Sequence, residues 1–217
     1  MKKRYYLFKF NLTVLNILSI IILVFMIMIS YFVFEYNFLN INNWFILLLY
    51  YLIYTIIHEI IHAISYIING AKSNKITFGI MLEKGILYCL CKQNINRRNI
   101  LISLMSPLIL IGFITYIISI IYKSPLLMFL SILNISGCVG DIVTFLFLRK
   151  IKKFEFTEID DPTMFAVYSN KDVSKISHFG LKFAGKQDTL KRGEFKKIEV
   201  SALSIMLIVF LIIMALN

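Results

Sequence analysis

Cysteine is scarce in this 217-residue chain: Cys89, Cys91 and Cys138 are the only three. They give no paired framework, so a disulfide-stapled scaffold is excluded and all three are read as reduced thiols. Acidic residues are few as well, 12 against 23 lysines and arginines, for a net charge of +11. There is no internal repeat and no low-complexity tract outside the apolar runs, so the paired-repeat pattern common among transporters is missing. What the chain has in excess is apolar side chains, 59% of the total, with a mean hydropathy of +0.80. An ordinary soluble domain has about 45–50%, so the composition is that of a membrane protein. Its basic residues sit between the apolar runs, where they orient spans and meet anionic headgroups. That distribution points to the lipid bilayer as partner and away from nucleic acid.

A helix needs about 20 apolar residues to cross the hydrocarbon core. Runs of suitable length cover 11–34, 42–68, 100–121, 125–148 and 200–216. The opening "MKKRYYLFK" resembles the start of a signal peptide, but the run that follows is too long and lacks a small-residue cleavage site, so it is read as an uncleaved span. All but one of the 23 basic residues, Lys123, fall on one side of this five-span arrangement. The positive-inside rule makes that side cytoplasmic, with the N-terminus inside and the C-terminus outside. The fold expected is therefore an all-α polytopic membrane protein with about five transmembrane helices. Residues 75–92 add two β-prone runs around a turn at Glu83-Lys84-Gly85, a short hairpin at the cytoplasmic face. The division expected is a transmembrane core over 1–148, a basic cytoplasmic segment over 149–198 and a last helix over 199–217. At this length the basic segment cannot bury much of a core alone. Within it Asp160-Asp161-Pro162 reads as a turn.

Only four ionisable residues lie inside the spans: His58, Glu59, His62 and Asp141. Each costs roughly 2.5–3.5 kcal/mol at the bilayer centre even on a lenient scale, so the four need a shared purpose. Three spell His-Glu-x-x-His in "HEIIH". Positions four apart stack on one helix face, so His58 and His62 can reach one ion, and zinc, Zn(2+), suits neutral imidazole. Glu59, one residue round, can act on water as a general base without being a ligand. A third ligand must lie at the same depth. His58 sits ~15 Å and Asp141 ~10 Å from the inner ends of two spans running the same way, which makes Asp141 the candidate. Gly137 and Gly140 beside it suit a closely approaching helix. Asn134, two turns upstream of Asp141, could orient a ligand or bind a substrate backbone. Cys89-x-Cys91 is a lone pair of thiols without a second pair, Cys138 reads as packing, and His178 receives no role.

These residues resemble the site-2 protease class of intramembrane zinc metallopeptidases and, more closely, a bacterial family of zincin peptidases of unknown substrate. The parallel covers the second to fourth spans. That class carries its zinc histidines and glutamate in a membrane helix, matched by His58, Glu59 and His62. It carries an aspartate ligand beside glycine in a later helix, matched by "GCVGDI" and Asp141, with an asparagine about two turns upstream, as Asn134 is. "MSPLI" around Pro107 is similar to a Gly-Pro of the intervening helix, and the 75–92 hairpin matches a β-rich segment that presents substrate as an extended strand. Gly-Asp replaces Asp-Gly, the proline usual after the asparagine is missing, and there is no PDZ-like domain. The resemblance implies hydrolysis of peptide bonds in membrane-spanning or membrane-proximal substrates, in a bacterial cell membrane. The alternative is a membrane zinc-binding protein without protease activity, handling metal or binding partners. Glu59 argues against metal handling, because a carrier needs no general base beside its ligands.

Overall fold

The computed structural model describes residues 4–34, 44–81, 86–176, 178–190 and 198–200. The chain starts with a strand, β1 (Arg4–Phe10), and enters α1 (Leu12–Phe34) and α2 (Trp44–Ile68). A hairpin follows, β2 (Ile76–Met81) and β3 (Ile86–Cys91), then the two-residue β4 (Ile95–Asn96). Helix α3 (Arg97–Pro107) runs through a π-helical turn, Leu108–Phe113, into α4 (Ile114–Ile121). Helices α5 (Pro125–Gly137) and α6 (Val139–Arg149) lead to β5 (Glu155–Glu158), β6 (Met164–Ser169), β7 (Leu181–Gln187) and β8 (Ile198–Val200).

The all-α expectation is overturned. A five-stranded antiparallel sheet, ordered β4-β5-β6-β1-β7, packs on the ends of the helices, and a smaller sheet is ordered β3-β2-β8. The strands of the large sheet come from stretches expected as basic cytoplasmic segments, β1 from the N-terminal tail and β5, β6 and β7 from 149–198. "RYYLFKF" pairs on one side with β6, Phe8 opposite Phe165, and on the other with β7, Phe8 opposite Phe183. These partners lie more than 150 residues away in sequence, so no local pattern announces them. The 149–198 segment does not stand apart from the rest of the chain, since β1 lies between its β6 and β7. It gains a core because β1 inserts into it and the helix ends cover one face. Phe8 meets Phe147 of α6 at 4.5 Å and Phe165 at 5.7 Å between ring centroids, and Phe156 stands 5.3 Å from Phe165. That aromatic cluster joins one continuous core with Tyr66 of α2, Phe78 and Cys91 of the hairpin, and Ile100 of α3.

The count of five spans is corrected too. Among the described residues three stretches are long and apolar enough to cross a membrane, Leu12–Val33, Leu47–Ile68 and Arg97–Ile121, or four if a bent pair counts as one span. The run expected to be one straight helix over 125–148 is a broken pair, α5 and α6, bent by 44°. The break falls at Cys138, whose ψ of 6° leaves the helical range. The expected last span, 200–216, and the hairpin turn at Glu83-Lys84-Gly85 lie outside the described residues. Helix α1 shows why apolar composition alone signals lipid: its exposed Ile17, Ile20, Ile21, Val24, Phe25 and Phe32 leave a greasy outer surface.

The hairpin needs Gly79. It stands opposite Tyr88, and a Cβ there would collide with the Tyr88 ring. On its other side β2 takes β8, which leaves β3 with a free edge among the described residues. That edge faces α2. The turn reading of Asp160-Asp161-Pro162 holds: Asp161 Oδ1 accepts from the Thr163 N–H at 2.8 Å and from its hydroxyl at 2.6 Å. Asp160 pairs with Lys92 at 3.1 Å, tying the end of the hairpin to the large sheet.

Candidate metal centre

Helix α2 places His58 and His62 one turn apart, and the first turn of α6 brings Asp141 to them. Asp141 Oδ2 lies 3.4 Å from His58 Nε2 and 3.4 Å from His62 Nε2. The two Nε2 atoms are 3.2 Å apart. Zinc bound tetrahedrally at about 2.0–2.1 Å sets its donors roughly 3.3 Å from one another, so the three separations fit one such ion.

The surrounding hydrogen bonds fix which ring nitrogens point at this centre. His58 Nδ1 lies 2.9 Å from Asn134 Oδ1, and His62 Nδ1 lies 3.0 Å from the Ser103 carbonyl oxygen. Both partners can only accept, so each Nδ1 carries the hydrogen and each neutral ring turns an Nε2 lone pair inward. Two lone pairs and a carboxylate oxygen then face one another at hydrogen-bond distance. That arrangement repels itself unless a cation sits among them, and the donor set is one zinc accepts.

Ser103 is available because of Pro107. In an α-helix the carbonyl of residue 103 would accept from the N–H of residue 107, and proline has none. The freed carbonyl turns to His62 instead, and the helix continues as the π-helical turn Leu108–Phe113. The same interruption lets Asn134 Nδ2 reach the Pro107 carbonyl at 3.5 Å, so the asparagine bridges α3 and His58. Gly112 keeps α5 close there, with its Cβ position 3.1 Å from Ile135 and 3.4 Å from Asn134 Nδ2. Asn134, singled out in the sequence, thus orients a histidine. The Ser103 carbonyl went unnoticed, although a proline four residues on is its sequence signal.

A cavity of about 220 Å³ opens over the three donors. His58, Glu59, His62 and Asp141 line one wall, residues 86–90 of the hairpin a second, and Phe156, Glu158 and Met164 of the sheet a third. Gly137 and Gly140 line it as well, and a Cβ at either would meet nothing within 4 Å. They therefore do not serve the close helix approach expected of them; they leave room beside Asp141. Cys138 packs there, its Sγ 3.9 Å from His58 Nδ1.

Glu59 lines the cavity beside the Cys89 backbone, at the free edge of β3. A second carboxylate reaches the same edge two residues on. Glu158, from β5, accepts from the Cys91 N–H and, at 3.1 Å, from the Tyr66 hydroxyl of α2. Burial pushes the Glu158 carboxyl up to about 7. Burial likewise raises the Cys89 thiol, and the Cys91 thiol to about 11, which makes both poor thiolates and supports reading them as inert. Glu158 has no signal in the sequence, being one of several acids in a basic segment. Only the sheet brings it to the cavity.

Residues 51–154 match the family model described as "Putative zincin peptidase". That stretch contains His58, Glu59, His62, Asn134 and Asp141. No curated protein and no solved structure matches the chain. The match supports a zinc-dependent peptidase, and His58, His62 and Asp141 lie close enough together to form a possible metal site.

Proposed function

We propose that the protein is an intramembrane zinc metallopeptidase of the site-2 type, hydrolysing peptide bonds of membrane-spanning or membrane-proximal substrates. The observation that carries this reading is the inward-facing set of two imidazole lone pairs and one carboxylate, held by Asn134 and the Ser103 carbonyl beside an acid that is not part of the set. His58, His62 and Asp141 would hold the ion. When bound, zinc supplies Lewis-acid chemistry, acidifying water and polarising a carbonyl. Glu59 takes the proton of the attacking water on a carboxylate oxygen and returns it to the nitrogen of the leaving amine. The two histidines keep their geometry throughout, because Asn134 and the Ser103 carbonyl fix the rings from behind.

The substrate would lie along β3. A peptide bond inside a helix is shielded by its own hydrogen bonds, so the cleaved segment must unwind, and an unwound segment can pair with a free strand edge. Glu158 occupies the Cys91 donor of that edge and Glu59 lies beside Cys89, which leaves its Ile86–Tyr88 end as the place where pairing starts. The lysines and arginines outside the spans support a cytoplasmic position for the sheets, from which water would reach the site.

The test is zinc content of purified protein together with cleavage of a model transmembrane substrate. Glu59→Gln should keep stoichiometric zinc and lose cleavage by roughly 10²–10⁴-fold. Asp141→Ala should lose both. Wild-type protein that binds no zinc rejects the proposal. If it binds zinc, leaves every membrane substrate intact and matches Glu59→Gln in all assays, the metal-handling reading takes its place.

A further inference from the structure

Away from the metal centre, the start of α3 and the end of α6 meet. Arg97 Nε donates to the Ile151 carbonyl at 2.9 Å and its Nη2 to the Arg149 carbonyl at 3.3 Å. Above this junction lies a cavity of about 640 Å³ whose cations are Arg97, Arg98, Lys152 and Lys153, with Tyr168 and Asn170 of the sheet closing it. Its one acid, Glu155, accepts from Asn94 Nδ2 at 3.0 Å. Arg98, Lys152 and Lys153 are exposed there, outside any described salt bridge.

Below the junction the same two helices form a second feature of opposite character. A groove of about 430 Å³ runs along the outer face of α3, lined by Leu101, Ile102, Met105, Ile109, Leu110 and, from α6, Phe145. Arg98, Ile102, Met105 and Ile109 recur at intervals of three and four, so the groove begins one turn beneath the basic cavity on one face of the helix. Arg149 links the two, its guanidinium 5.6 Å above the Phe145 ring. Ile102 and Ile109 are 46% and 47% exposed, so nothing among the described residues covers the groove.

A cluster of cations opening directly onto an apolar groove is complementary to one class of molecule. We infer that this site binds an anionic phospholipid, with the headgroup phosphate held by Arg98, Lys152 and Lys153 and one acyl chain lying along Ile102–Leu110 against Phe145. Basic pockets between membrane helices take such headgroups, and the groove supplies the apolar contact that an inorganic phosphate or a nucleic acid could not use. The inference rests on α3 crossing the membrane and is independent of peptidase activity. It also touches the metal centre's support: Ser106, on the groove wall, hydrogen-bonds Ser65 at 3.1 Å, and α3 carries the carbonyl that holds His62.

The experiment is native mass spectrometry of the full chain in detergent, titrated with phosphatidylglycerol, phosphatidylcholine or inorganic phosphate. Wild type should retain phosphatidylglycerol over phosphatidylcholine by about tenfold or more, given roughly 1 kcal/mol per basic residue near the surface. The triple variant Arg98→Gln, Lys152→Gln, Lys153→Gln should lose that preference. A control triple, Lys171→Gln, Lys175→Gln, Lys182→Gln, removes the same charge elsewhere and should keep it. Ile102→Trp, which fills an exposed groove and leaves the charges, should weaken both lipids. Equal losses in the two triple variants would mean unspecific attraction and overturn the site. So would displacement of phosphatidylglycerol by inorganic phosphate with Ile102→Trp unaffected, which would leave only a phosphate-binding cavity.

Discussion

The helical layer and the strand layer each bring a buried carboxylate to the same strand edge, by very different routes. Glu59 stands between two histidines in "HEIIH", while Glu158 lies 99 residues further on in a basic segment with no motif around it. Both lie against β3, Glu158 accepting from the Cys91 N–H and Glu59 standing beside Cys89. The helices hold every donor of the metal centre and every group that orients one: His58, His62, Asp141, Asn134 and the Ser103 carbonyl. The strands hold none of these and instead close the cavity. The difference teaches that the candidate metal site is built by helices packing on one another, and access to it by strand pairing.

Changes in the helical layer should therefore act on the metal, and changes in the strand layer on closure and stability. Among the groups that support the ligands, the largest effect is expected from Asn134→Ala, which frees the His58 ring to rotate and should weaken zinc binding roughly 10–100-fold, measured by competition with a chelating dye. An unchanged affinity would break the link between Asn134 and His58. Pro107→Ala gives a smaller effect through the same layer. It restores an N–H that competes for the Ser103 carbonyl, so zinc affinity should fall by several-fold, less than for Asn134→Ala. If it rises, the proline does not serve His62.

The smallest effect belongs to the strand layer. Burial holds the Glu158 carboxyl at about 7, against an ordinary value of 4.5. The folded chain thus binds more protons than the unfolded chain between those values, and stability falls as pH rises through that window. Glu158→Gln should flatten this slope and leave zinc content unchanged, as read from thermal unfolding of the metal-free protein in detergent between pH 5 and 8. Loss of zinc in this variant would erase the distinction between the layers. A slope identical to wild type would show that Glu158 carries no such linkage.

The sequence by itself determined the local part of this protein. An apolar run long enough to cross a bilayer becomes a helix, and two histidines four apart must share a face, so His58, Glu59 and His62 could be read as a unit. Asp141 followed because an acid inside lipid is too costly to be idle. The tertiary structure decided what depends on distant partners. β1 looked like a charged tail because its strand neighbours are 150 residues away, and the sheet it completes turned an all-α expectation into a mixed fold. The bend at Cys138 broke an apolar run that composition alone reads as straight. Ser103 acts through a backbone carbonyl, which has no residue identity to recognise, and Glu158 matters only where β5 puts it. Helical periodicity is written over four residues, whereas strand pairing is settled by which edges meet.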